Sequence, residues 1–378
     1  VVLKVFAELT GLQPKLPWGI LTGVRPTKLA HKLLDSGVEA AALPEYLNEN
    51  YLLPMAQGRL LTDIALKQKH ILSDSTRLTD TGIYIGVPYC PSRCSYCSFP
   101  AGIVPQDEES QQNFVNMIEQ DLQNVVQLIG MHSLRVKSLY IGGGTPTSLS
   151  DKVFARLLQA VERRLLQSNC EGLQHLREFT VEAGRPDCFS AVKLAAMEAA
   201  GVNRISVNPQ SFHDKTLQLI GRRHSVRDFY NAYELVRESR IPVVNVDLII
   251  GLPQESEQEI AYSLEQAVKL APENLTVHTL TLKRSAPLFQ KQDSRCNGQQ
   301  QPHTVDDGEE YDAGKRTGEV HIDLVAHGRT KAAVHGKQQH YLYRHLGRLF
   351  LHVFAPYSPP AGNRRGKEEG NNQESAEL

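Results

Sequence analysis

The residues best suited to chemistry sit in one short segment, Tyr84-Ile85-Gly86-Val87-Pro88-Tyr89-Cys90-Pro91-Ser92-Arg93-Cys94-Ser95-Tyr96-Cys97. Cys90, Cys94 and Cys97 form a C-x3-C-x2-C cluster, and three thiolates on one loop can converge on one inorganic centre. Iron–sulfur clusters take cysteine thiolates, and a four-iron cluster held by only three of them leaves one iron open to an outside ligand. Structural zinc is a second reading, although it normally uses four closed ligands and paired C-x2-C spacing. Three unrelated buried thiols are the third. Cys170, Cys188 and Cys296 stand apart and read as ordinary free thiols, which pack as small hydrophobes.

A second segment, Gly142-Gly143-Gly144-Thr145-Pro146-Thr147, follows the apolar run Ser138 to Ile141. Consecutive glycines let backbone groups approach a ligand closely, although glycines also mark simple tight turns. The pattern is neither G-x-G-x-x-G nor G-x-x-x-x-G-K-S/T, which disfavours a nucleotide phosphate loop. Polar residues recur beside other apolar runs: Glu182 in Val181-Glu182-Ala183-Gly184, Gln210 in Asn208-Pro209-Gln210-Ser211, and Asp247 in Val246-Asp247-Leu248. Carboxylates there can take an ammonium or hydroxyl group of a ligand. Arg222 and Arg223, in Ile220-Gly221-Arg222-Arg223-His224, can receive carboxylates or lie on a solvated turn. His213, His224 and His278 read as structural, since none has a second metal ligand at helical spacing.

These residues need a scaffold that gathers them. Short β-rich runs recur at Ile83 to Val87, Ser138 to Ile141, Phe179 to Ala183, Arg204 to Val207, Val243 to Ile250 and Leu275 to Leu282. Amphipathic helical patterns fall between them, the clearest placing Phe114, Ile118, Leu122, Val125 and Ile129 along one face. Lys152 to Leu166, Ala191 to Ala200, Phe229 to Glu238 and Glu257 to Leu270 are further helices. Six β/α units with right-handed crossovers predict a parallel sheet, either an incomplete barrel or a doubly wound layer, with ligands at the carboxyl ends of the strands. The expected division is a helical region at 1–79, an α/β core at 80–284 and an atypical polar tail at 285–378. In the first region Leu29, Leu33 and Leu34 suit one face of a helix beginning near Pro26. In the tail only Tyr341 to Phe354 keeps an apolar pattern, and 359–378 reads as a disordered polar end.

The chain has 378 residues, of which 41% are AVILMFWYC; with 27 glycines this is the apolar share of an ordinary globular protein. A net charge of -1, from 41 basic and 42 acidic residues, supplies no global field toward nucleic acid or an anionic membrane. No stretch approaches the roughly 18 to 20 apolar residues of a membrane span. Six cysteines are too few for a disulfide scaffold in a chain of this length, which points to a reducing, cytoplasmic compartment.

With Tyr96 at the aromatic position before the third cysteine, the C-x3-C-x2-C segment resembles the hallmark of the radical S-adenosylmethionine (SAM) superfamily. The resemblance implies an α/β fold built as a partial (β/α)6-type barrel, a [4Fe-4S] cluster on Cys90, Cys94 and Cys97, and S-adenosyl-L-methionine bound to the open iron. Reductive cleavage of that cofactor gives methionine and a 5′-deoxyadenosyl radical, while the protein binds, orients and shields these species. Gly143, Gly144 and Thr145 are similar to the loop that holds the methionine amino group. The strand-end segments are similar to the coproporphyrinogen-oxidase-like branch, which assigns Glu182, Gln210, Arg222 and Asp247 to the cofactor pocket and Tyr84 to a place beside the cluster. No catalytic residue is assigned beyond these.

The segment Trp18-Gly19-Ile20-Leu21-Thr22-Gly23-Val24-Arg25-Pro26-Thr27-Lys28 is similar to the HemZ-type coproporphyrinogen dehydrogenases, and the likeness runs from about Pro17 to Arg284. Members carry further amino-terminal sequence, so Val1 is expected to be internal. Established coproporphyrinogen oxidases have another Cys two residues after the third ligand, where this chain has Phe99. The implied activity is oxygen-independent oxidative decarboxylation of coproporphyrinogen III to protoporphyrinogen IX in heme biosynthesis, with an electron donor such as flavodoxin or ferredoxin. The alternative is a heme chaperone of the same superfamily without decarboxylase activity.

Overall fold

The computed structural model describes residues 9, 11, 16, 18–21, 26–73, 79–99, 101–281 and 286–289, and two strands at 322–324 and 350–354. Three helices come first: α1 (Pro26–Asp35), α2 (Leu43–Tyr51) and α3 (Met55–Ser73). Pro26 opens α1, where its missing N–H has no intrahelical partner to lose. Leu33 is buried and Leu29 and Leu34 pack beside it against Leu43, Leu47 and Leu61, giving the region a small core of its own.

The core then alternates. Strands β1 (Asp80–Val87), β2 (Arg135–Gly143), β3 (Glu178–Glu182), β4 (Arg204–Ser206), β5 (Val243–Ile250) and β6 (Asn274–Thr279) lie side by side in chain order, each parallel to the next. A doubly wound layer needs a point where strand order reverses. Here β1 to β6 have none, so the incomplete barrel is the observed solution. The connections carry α4 (Glu108–Met131), α5 (Asp151–Val161), α6 (Ala191–Ala199), α7 (Asp214–Leu219), α8 (Val226–Glu238) and α9 (Glu257–Lys269). Two strands from the tail extend the edges: β7 (Ile322–Leu324) runs antiparallel to β6, and β8 (Phe350–Phe354) parallel to β1. The positions 22–25, 299–301, 341–344 and 359–378 lie outside the described residues.

Helix starts are locally encoded. Ser225 with Asp228 and Ser256 with Glu259 form capping boxes that begin α8 and α9. Asp107 accepts from the Ser110 N–H at 2.7 Å to begin α4. The five α4 residues expected on one face are all buried there. The helix expected to reach Leu166 leaves α geometry at Val161 and finishes as a π-helical turn, Glu162–Leu166.

The strands are two-faced. Ile83, Ile85 and Val87 of β1, Leu139 and Ile141 of β2, and Val244, Val246 and Leu248 of β5 join the helices in one continuous core. The alternate positions face the other way and carry Tyr84, Tyr140, Thr180, Arg204, Asn245 and Asp247. Arg204 of β4 reaches past β5 to donate to Asn274 of β6 at 3.0 Å. Phe154 on α5 is fully buried in the helix–sheet core. Phe154→Ala is expected to cost about 3–5 kcal/mol in urea-induced unfolding; a loss below about 1 kcal/mol would show that this layer is not packed as described.

Candidate functional site

The cysteine loop leaves the carboxyl end of β1 and is held from several sides by backbone bonds. Tyr89–Cys90 pairs in parallel with Gly102–Ile103, closing the loop on itself. Gly102 N–H donates to Pro88 O at 2.9 Å and Val104 N–H to Cys90 O at 3.0 Å. Ser95 N–H donates to Ile220 O at 2.9 Å, and Leu288 N–H to Ser95 O at 2.7 Å. The last of these brings residues just past the expected core boundary back onto the loop. Tyr89 packs edge-on against Phe114 of α4, with ring centroids 5.2 Å apart.

The glycine loop follows β2 directly and lies against the cysteine loop. Gly144 N–H donates to Val87 O at 2.8 Å, Thr145 N–H to Tyr89 O at 2.6 Å, and Thr145 Oγ1 to Cys90 Sγ at 3.5 Å. Gly143 has φ +108°, and a Cβ on Gly144 would stand 2.4 Å from Tyr89 O. Both glycines are therefore required by conformation and by close approach.

Glu182 ends β3 and accepts a hydrogen bond from the Tyr140 hydroxyl, while Tyr140 stacks on Tyr84 at 5.7 Å. Burial, reinforced by Asp247, pushes the Glu182 carboxyl up to about 7 against the hydrogen bonds from Tyr140 and the Gly143 backbone. Burial also raises Asp247, but His278, Asn245 and Thr276 outweigh it and hold Asp247 below its usual value. Its carboxylate accepts from Asn245 at 2.7 Å and Asn208 at 2.9 Å, with His278 Nε2 at 3.8 Å. Gln210 has φ +67°, and its buried Oε1 has no hydrogen-bond partner in the protein. A buried acceptor on strained backbone is suited to a ligand donor.

Arg222 is placed differently from a simple ligand-facing guanidinium. Its Nη1 donates to Gly184 O at 2.9 Å and Asn208 O at 2.8 Å, and its Nη2 to the Tyr96 hydroxyl at 3.4 Å. It clamps the strand ends to the cysteine loop, with Nε left unpartnered. Among the histidines read as structural, His213 Nε2 lies 3.0 Å from Glu259 O and His224 Nδ1 3.8 Å from Asp187. Arg185, Asp187, Tyr140 and Asn208 carry no site role in the sequence reading, and His278, read there as structural, lies 3.8 Å from Asp247. The polar alternation Asn245-x-Asp247 and Asn274-x-Thr276-x-His278 was the available signal for the last part of the network.

Among the described residues, no three His, Cys, Asp or Glu side chains gather tightly enough to share one metal ion. A single zinc ion needs every donor about 2.1–2.3 Å from one point, whereas an iron–sulfur cluster presents several irons to its thiolates. Burial pushes the Cys90 and Cys97 thiols up, so binding a metal there would release protons. Three thiols on one loop, a glycine cradle and an unpartnered amide oxygen fit a cluster with a small polar cofactor beside it.

Residues 84–267 match the family model of the Radical SAM superfamily. This domain belongs to the radical SAM superfamily. The chain is 38% identical over 289 residues to the oxygen-independent coproporphyrinogen-III oxidase-like protein HemZ of Bacillus subtilis, covering 76% of this chain and 56% of that protein. It is 36% identical over 203 residues to the heme chaperone HemW of the same organism, covering 53% of this chain and 50% of that one. The chain thus spans about half the length of these curated relatives. Among solved structures, coproporphyrinogen III oxidase (HemN) of Escherichia coli aligns with TM-score 0.47 and 20% identity over 61% of this chain and 55% of that one. The radical SAM family implies a [4Fe-4S] cluster and S-adenosylmethionine.

The packing of the radical SAM domain's glycine loop is open to direct test. Gly144→Ala is expected to lower the urea midpoint by the equivalent of about 1–3 kcal/mol, because Tyr89 and the cysteine loop must move. Gly130→Ala, in α4 with nothing within 4 Å of the added Cβ, should be neutral or stabilising. Equal effects of the two substitutions would contradict the close approach.

Proposed function

We propose that the chain is a radical SAM oxidoreductase of heme metabolism that converts coproporphyrinogen III to protoporphyrinogen IX. The supporting observation is that the cysteine loop, the glycine loop and the polar strand ends meet at one end of the barrel. In this reading Cys90, Cys94 and Cys97 hold the cluster, and Tyr84, Gly143, Gly144, Thr145, Glu182, Gln210, Arg222 and Asp247 surround the cofactor. When bound, the cluster and S-adenosylmethionine supply a hydrogen-abstracting 5′-deoxyadenosyl radical. Each of two propionates then loses a β-hydrogen atom, CO2 and one electron to an acceptor, becoming a vinyl group. The protein's share is positioning and exclusion of water. Ionised Asp247 and Glu182 attract a cationic cofactor, the glycine loop offers backbone groups, and Gln210 offers its unpartnered Oε1.

A heme chaperone without decarboxylation is the second reading. It is favoured by the 36% identity to HemW and by Phe99, which is 63% exposed where established oxidases carry a further Cys. Anaerobic incubation of the reconstituted protein with a reductant, S-adenosylmethionine and coproporphyrinogen III separates the two. Vinyl tetrapyrroles together with 5′-deoxyadenosine are expected, and Cys90→Ala, Cys94→Ala and Cys97→Ala should each abolish both products and the iron–sulfur absorbance. Tight heme binding without tetrapyrrole conversion would select the chaperone. Retention of the cluster in all three variants would remove the basis of either reading.

The proton on Glu182 gives a pH test of the same site. A carboxyl that titrates near pH 7 is mostly ionised at pH 8 and mostly protonated at pH 6. Affinity for the cationic cofactor should therefore fall as pH drops, by about tenfold across that range if only the ionised form binds. Calorimetric titration of the cluster-loaded protein should show this slope in the wild type and its loss, with weaker binding throughout, in Glu182→Gln. An identical slope in the variant would exclude Glu182 as the titrating contact.

A further inference from the structure

Arg185 follows β3 by three residues and is 2% exposed. Every N–H of its guanidinium is engaged. Nε donates to Asp187 Oδ1 and Nη2 to Asp187 Oδ2, each at 3.0 Å, in a forked pair that fixes the plane of the group. Nη2 also donates to Ser92 Oγ at 2.9 Å, and Nη1 to Ser92 O at 3.3 Å. The remaining Nη1 bond goes to Cys94 Sγ at 3.6 Å. Behind Asp187 lies His224, its side chain fully buried and its Nδ1 3.8 Å from Oδ1. A cation with five donors and all of them assigned has little freedom to turn away from the sulfur.

We infer that Arg185 is a positioning residue that orients Cys94 and raises the reduction potential of the centre bound there, with Asp187 holding its guanidinium in place. The inference rests on the reading of Cys90, Cys94 and Cys97 as cluster ligands. Potentials of iron–sulfur centres respond to net charge, to hydrogen bonds on the sulfurs and to solvent exposure. A buried guanidinium donating to a ligand sulfur stabilises the form that carries the extra electron. Neighbours of this kind tune a metal site without touching the metal. Arg222, the other buried arginine beside this loop, spends its assigned bonds on carbonyl and hydroxyl oxygens, so Arg185 is the one aimed at sulfur.

The test uses the full chain, reconstituted anaerobically with iron and sulfide, as wild type, Arg185→Lys, Arg185→Met and Asp187→Asn. Midpoint potentials come from redox titration followed by electron paramagnetic resonance, and exchangeable-proton couplings from spectra in H2O and D2O. Arg185→Met is expected to lower the midpoint by the equivalent of a tenfold change in the reduced-to-oxidised ratio, about 59 mV for one electron. It should also lose an exchangeable-proton coupling. Arg185→Lys, which keeps the cation, should fall between Met and wild type, and Asp187→Asn should fall in the same direction. A merely structural tie would lower thermal stability of the cluster-free protein yet leave potential and coupling unchanged in the loaded variants, and that result overturns the inference. Should Arg185→Met not retain a cluster, the Lys and Asn variants decide on the same criterion. If the wild type itself takes up no iron and sulfide, the ligand reading fails and this inference with it.

Discussion

Each parallel strand here must satisfy two environments at once, and the rest of the molecule follows from that division. One face packs apolar side chains under the helices, where burial removes them from water. The other face points into the barrel and carries polar groups that lose water too. Such groups are costly unless partnered, and the partners come from neighbouring strands: Asn245 donates to Ser206 and Asp247, Asn208 donates to Asp247, and Thr276 donates to Asn245. The interior network therefore fixes the relative positions of strand ends. A ligand site at those ends inherits its geometry from the network.

The cysteine loop contributes little core and cannot hold its own shape by packing. It borrows shape from its surroundings through backbone bonds to the glycine loop, to Ile220 and to Leu288. Buried arginines complete the arrangement in different ways. Arg222 gathers carbonyl oxygens at strand ends, whereas Arg185 reaches the Cys94 sulfur. Both act on the loop from segments that follow later strands, so the loop is positioned only when the barrel is assembled.

Electrostatics divide the two strand-end carboxylates. Amide donors and His278 hold Asp247 ionised, while burial and the charge of Asp247 itself keep a proton on Glu182 near neutrality. Two acidic groups on strands separated by β4 thus offer one permanent and one conditional negative charge. This is the expected outcome when like charges share a poorly solvated space and only one is well supplied with donors.

The sequence alone determined what is local and periodic. The 3.6-residue recurrence of Phe114, Ile118, Leu122, Val125 and Ile129 marks a helix whose buried face is those residues, and Val243–Ile250 is a strand over the span its β-rich composition marks. The C-x3-C-x2-C spacing and the polar residues after apolar runs likewise exposed most of the candidate site. Periodicity left a barrel and a doubly wound layer both open, and the barrel was implied only by the motif resemblance; the tertiary structure decided it, because that choice is the order of strands in space, which no local pattern records. It also placed the two-residue pairing of Tyr89–Cys90 with Gly102–Ile103, too short to have a period, and the short helix Asp214–Leu219. The contact of Arg185 with Cys94 spans 91 positions of chain. A buried guanidinium bonds to whatever acceptors the fold brings within reach, so its role is set by which strand ends meet and not by its neighbours in sequence.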